Sequence, residues 1–164
     1  MSMSEKDMFV ASLEREVQTT MKVLRNYPND RLEYTPHEKS RKAKDLMWIF
    51  TMEMGIAGMA IDGEVKFGPM PPAPNSLNEL ITALETSSKG IAERVRKMTE
   101  DDFNSPIKWM VAPGQMADMR KADVMWFMMQ DHVHHRGQFS VYLRLAGGKV
   151  PSIYGPSADE NWGM

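Results

Sequence analysis

Apolar residues recur at steps of three and four along four stretches of the chain, and proline and glycine gather between them. In the first stretch, from about Ser4 to Asn26, Phe9, Leu13, Val17, Thr20 and Leu24 share one face, with Glu14, Arg15, Lys22 and Arg25 between them. That period predicts an amphipathic helix with one side in a core. Asn26-Tyr-Pro-Asn-Asp ends it, because proline cannot continue the hydrogen-bond ladder. A second helix is predicted from about Arg41 to Ile61, where Leu46, Ile49, Phe50, Glu53, Ala57 and Ala60 form one stripe that Asp62-Gly63 terminates. Ser76-Leu-Asn-Glu79 has the spacing of a capping box and opens a third helix that ends near Met98. Its stripe is Leu77, Leu80, Leu84, Ile91 and Val95. A fourth begins between Arg120 and Asp123 and runs to Ala146, where Gly147-Gly148 supplies a left-handed cap with Pro151 just beyond.

The connections carry their own information. Gly68-Pro-Met-Pro-Pro-Ala-Pro74 is too rich in proline for regular structure and reads as a stiff link. Glu100 to Met119 holds either a short hairpin around Ile107–Val111 or a covering loop. The last segment, Val150 to Glu160, is irregular but sparsely charged, so it is expected to be pinned to the body. Four long helices without a convincing strand pattern predict an all-α protein, a four-helix bundle in one domain spanning 1–164. Its longer inter-helix connections, roughly 14 and 20 residues, exceed the usual bundle range of about two to eight.

Composition narrows the chemistry. Twenty basic against 22 acidic residues leave a formal net charge of −2, which argues against nucleic acid or an anionic membrane as partner. The N-terminal residues have no apolar core of a secretion signal, and no stretch is long and apolar enough to span a bilayer, so the cytoplasm is the expected location. Cysteine is absent, which removes disulfides, thiolate metal sites and thiol nucleophiles. Methionine occurs 17 times, more often than the 14 aromatic residues together. Met47, Met52, Met54 and Met59 in the second helix, with Met125, Met128 and Met129 in the fourth, suit an adaptable core or a subunit contact.

Three of the four histidines fall in Asp131-His-Val-His-His135. At helical steps the fourth stripe reads Val124, Met128, Asp131, His135, Gln138 or Phe139, and Tyr142, which puts Asp131 and His135 one turn apart on a core-facing side. Glu53 is equally out of place on the second stripe. Buried carboxylates are costly unless paired or bound to a metal, and bundles build metal sites from inward-facing carboxylates and imidazoles. Glu53, Asp131 and His135 are therefore the candidate ligands, suited to a borderline or harder divalent ion such as zinc, nickel, manganese or iron, with zinc or nickel expected first. The competing reading is a structural His–Asp pair that fixes helix register. His132 and His134 are expected at the flank or an interface, His37 in an exposed or locally packed loop, and Arg136 either paired with Asp131, Glu53 or a substrate carboxylate or on the surface.

The run Asp131-His-Val-His-His-Arg-Gly-Gln138, continued by Phe-Ser-Val-Tyr-Leu-Arg-Leu-Ala-Gly147, resembles the last-helix signature of the DinB/YfiT-like family of metal-dependent four-helix proteins. The tail from Val150 to Glu160 and the loop Leu32-Glu-Tyr-Thr-Pro-His37 are similar to the same family. The resemblance implies a divalent metal on three histidines, one from the second helix and two from the last. It further implies a thiol-dependent transferase or hydrolase type of activity on a small-molecule substrate, a low-molecular-weight thiol as partner, and a homodimer. Carried over by position, the final ligand is His135, the one before it is Asp131, and the second-helix position after Trp48 is Ile49, which cannot bind a metal. Glu53, one turn on, stands in for it. The alternative is a non-catalytic member that has lost the metal and serves as a small-ligand-binding or dimeric scaffold protein.

Overall fold

A computed structural model describes residues 3–163. Helix α1 (Glu5–Arg25) begins at Ser4, whose hydroxyl accepts from the Asp7 N–H at 3.2 Å. Helix α2 (Ala43–Asp62) stops where Gly63 takes φ 92°, a left-handed cap that a Cβ would strain. Helix α3 (Leu77–Lys97) starts on the expected Ser76 cap, bonded to the Glu79 N–H. A single short turn, α4 (Glu100–Phe103), follows, and α5 (Lys121–Leu145) is the longest element. Around the bundle the long helices lie in the order α5, α2, α3, α1, with α1 closing against α5. Phe9, Leu13, Val17 and Leu24 of α1 meet Leu46, Met47 and Phe50 of α2, Leu80 and Leu84 of α3, and Phe139 and Leu143 of α5 in one core. Burying each such side chain contributes about 1.5–3 kcal/mol. The all-α bundle read from the pattern is the architecture found.

The segment between α4 and α5 is a hairpin, not a loose cover. Strands β1 (Pro106–Ala112) and β2 (Gln115–Arg120) pair antiparallel, with Ile107 opposite Met119, and Gly114 turns the chain at φ 73°. Ile107 and Trp109 face inward and join Ala60, Val65, Val124 and Met128 in a second apolar cluster, which caps the end of the bundle where α2 finishes and α5 begins. The proline-rich link is tied back to α2 by the Trp48 indole N–H, which donates to the Pro71 carbonyl at 3.0 Å.

The tail is pinned, as its composition implied. Lys22 of α1 holds Glu160 at 2.8 Å, the Val150 and Ser152 N–H groups donate to Asp159 and Glu160, and the Tyr154 hydroxyl reaches Glu16 at 2.6 Å.

Candidate metal centre

The buried line of α5 is rotated by one residue from the expected stripe. Val124, Met128 and Tyr142 are inside as expected, but the polar residues that accompany them are His132 and Arg136, each 1% exposed. Asp131 and His135 lie at the edge of the core, with side chains 36% and 17% exposed, and Gln138 is on the surface. His132 is thus corrected from a flank or interface residue to a core residue. The reason is that 128–131–135 and 128–132–136–139 are adjacent helical tracks. Which of the two is buried depends on partners from other helices, and His132 and Arg136 find theirs there.

Glu53 occupies the expected core position on α2 and is 2% exposed. Its Oε1 lies 2.6 Å from His135 Nδ1 and its Oε2 lies 3.1 Å from His132 Nδ1. A carboxylate only accepts, so both Nδ1 atoms carry the protons. The Glu53 bond raises the His135 imidazole above its ordinary value; burial works in the opposite direction, and the charges of Glu53 and Asp131 add to the rise. Asp131 Oδ1 stands 3.7 Å from the same Nδ1. Among the described residues His135 Nε2 makes no hydrogen bond. The structure therefore brings Glu53, Asp131 and His135 together: one ligand atom from each lies within 4.8 Å of the others. Ile49 packs at the edge of the core nearby on α2 and contributes only hydrocarbon.

Behind this trio lies a second set of buried polar residues. His132 Nε2 is 2.7 Å from the Thr20 hydroxyl, and the oxygen of that hydroxyl accepts from Arg136 Nη1 at 3.4 Å. The Arg136 guanidinium donates to the Glu16 carbonyl at 3.0 Å and to Glu16 Oε2 at 2.8 Å, and it lies over the Tyr154 ring at 5.0 Å. Burial alone would push the Glu16 carboxyl up, but the bonds from Tyr154 and Arg136 outweigh it and hold the group below its ordinary value. Arg136 thus has its carboxylate on α1, not at Asp131 or Glu53. Glu16 and the functional part of Thr20 escaped the pattern reading. Their signal was present only for Thr20, a hydroxyl on an otherwise apolar stripe. His134 is exposed and bonds Gln138 on the surface, and His37 is in an exposed turn, where its Nδ1 accepts from the Lys39 N–H.

The donor set is two carboxylates and one imidazole, with no thiolate in the chain. Such a set suits a divalent ion of borderline hardness, and the two negative charges would balance its two positive ones. Glu53 and His135 share a proton across 2.6 Å, so an ion held by both would take that proton's place. The residues present fit a metal under that condition.

Comparison with known proteins places this arrangement in context. A family model described as the DinB family matches residues 1–164. The chain is 26% identical over 156 residues to the uncharacterized protein YrdA of Bacillus subtilis strain 168, covering 94% of this chain and 90% of that protein. It superposes on the crystal structure of a DinB-like protein from Bacillus cereus ATCC 10987 with a TM-score of 0.75 at 18% identity, covering 89% of this chain and 95% of the other. A second DinB-like protein, YjoA of Bacillus subtilis, gives a TM-score of 0.67 at 20% identity over 87% of this chain and 94% of that one. At those identities the two crystal structures speak for the fold alone.

Proposed function

This chain belongs to the DinB family, and from that premise we propose that it is a divalent-metal-dependent enzyme whose ion is held by Glu53, Asp131 and His135. The observation that carries the proposal is the convergence of those three side chains from α2 and α5 to within 4.8 Å. Zinc or nickel suits them best. When bound, the ion would supply Lewis-acid activation of a water or a thiol for hydrolysis or transfer. The chain's own residues do the rest. Before an ion enters, Glu53 holds the His135 ring through Nδ1, and Asp131 adds a second negative charge beside it. With no cysteine in the protein, a thiol in the reaction comes from a low-molecular-weight partner that enters with the small-molecule substrate.

One observation favours a second reading. Both oxygens of Glu53 already accept imidazole N–H bonds, so that carboxylate is satisfied without an ion, and Ile49 stands where the family's second-helix ligand is expected. On that reading the protein is a non-catalytic small-ligand-binding or dimeric scaffold member. Calorimetric titration with zinc in buffers of different ionisation enthalpy separates the two. The metal reading expects near-stoichiometric binding accompanied by proton release, lost in His135→Ala and weakened in Glu53→Gln. Binding below one-tenth equivalent, unchanged by His135→Ala, would establish the scaffold reading instead.

A further inference from the structure

His132 is not one of the three converging ligands, yet it is the side chain that holds Glu53 from behind. We infer that it is the positioning residue of this centre: an imidazole whose Nδ1–H fixes Glu53 Oε2 so that Oε1 is turned to His135. The inference rests on the metal reading of Glu53, Asp131 and His135, but its geometry is independent of any ion.

The direction of every bond follows from the partners. Glu53 can only accept, so His132 presents N–H at Nδ1, 3.1 Å away. Arg136 can only donate, so the Thr20 oxygen accepts from Nη1 and its own hydrogen is left to point at His132 Nε2, 2.7 Å away. The opposite tautomer would set a bare Nδ1 against a carboxylate and leave one of these buried groups unpaired, a cost of about 1–3 kcal/mol. Arg136 is itself fixed by the Glu16 carbonyl and carboxylate on α1. The Phe50 ring, its centroid 4.8 Å from that of His132, holds the imidazole plane. Thr20 is wholly buried and β-branched, so its hydroxyl has few orientations. Three helices thus converge on one orientation of one carboxylate: α1 through Thr20, α5 through His132 and Arg136, and α2 through Glu53 itself. Metal ligands are commonly oriented by such an outer layer, whose loss typically weakens metal affinity about 10–100-fold.

The test uses the full chain and three variants: His132→Asn, His132→Gln and Thr20→Val. An asparagine amide nitrogen overlays histidine Nδ1 and keeps a donor toward Glu53, whereas the glutamine amide overlays Nε2 and does not. Nitrogen-15 correlation spectra of the metal-free protein should show His132 protonated at Nδ1 with Nε2 as acceptor. They should also show a low-field His135 Nδ1 proton on Glu53. That proton is expected to persist in His132→Asn and to vanish in His132→Gln, while Thr20→Val draws the two His132 ring-nitrogen resonances toward each other. Zinc affinity should fall about 10–100-fold in His132→Gln and return to within about threefold of the parent in His132→Asn. Circular dichroism confirms folding, and Thr20→Val provides the milder change should His132→Gln unfold. A protonated His132 Nε2 in the parent overturns the inference. So does a folded variant pair, His132→Gln and Thr20→Val, in which both the His135 proton and zinc affinity are unchanged. A parent that binds no zinc but shows the expected proton pattern defeats the metal reading and leaves the positioning role standing.

Discussion

Arg136 brings a full positive charge into the core of α5, and its neutralising carboxylate, Glu16, sits on another helix with its side chain 9% exposed. Removing one partner of such a pair strands the other, so Arg136→Ala is expected to cost about 3–5 kcal/mol in urea denaturation. Replacing both, as Arg136→Met with Glu16→Leu, should recover a large part of that loss, because no buried charge is left unpaired. His135 carries a pH signature of its own. Glu53 raises its folded value above the unfolded one near 6.5. The stability this pair contributes is therefore complete below that unfolded value and is lost as pH rises through the higher folded value. Denaturation midpoints measured from about pH 6 upward should fall in the parent, and His135→Asn should flatten that decline. At this scale the sequence exposed the anomalies and hid the pairings. Glu53 is legible as a carboxylate on an apolar stripe. Glu16, adjacent to the Val17 of the core stripe, looks like any solvated residue until Arg136 arrives from 120 positions away.

Elements were more transparent, because helix ends are decided by a few local groups. Ser4 and Ser76 cap with their own hydroxyls, and Gly63 and Gly147 take the left-handed φ that ends α2 and α5. After α5, the Gly147 and Gly148 N–H groups return to Arg144 and Leu143. Gly148 has a further constraint: a Cβ there would lie 2.7 Å from the Asn26 carbonyl oxygen, a backbone atom that has little room to move. Gly148→Ala should thus lower the thermal midpoint more than Gly147→Ala, whose conformational penalty is about 1 kcal/mol. Comparative thermal melts check the order. The hairpin was the least legible element. Only Ile107 and Trp109 alternate inward, and what makes them a strand is an apolar patch assembled from α2, Val65 and α5. No local window of sequence contains that patch. The rotation of α5 has the same origin, since two neighbouring tracks compete and the polar partners on α1 and α2 choose between them.

As a whole the molecule is a bundle closed at one end by a hairpin and bound along α1 by its own tail, with a carboxylate–imidazole centre between α2 and α5. If that centre binds zinc in the native state alone, a hundredfold excess over Kd stabilises the fold by about 2.7 kcal/mol. For a domain of this size that is a rise in Tm of roughly 5–10 °C, reversed by a chelator and absent in His135→Ala. Differential scanning calorimetry reads it directly. Among the described residues no helix is long and apolar enough to cross a membrane, in keeping with a core that every long helix shares. The sequence by itself determined the helices, the architecture, the family and the three suspect side chains. These depend on period, caps and residue chemistry, all of which act within a few turns of chain. Tertiary structure alone decided which face of α5 is buried, that His132 stands behind Glu53, and that Thr20, Arg136 and Glu16 complete its support. A buried polar side chain is tolerated only where distant helices bring its partners, and that meeting exists only in the folded chain.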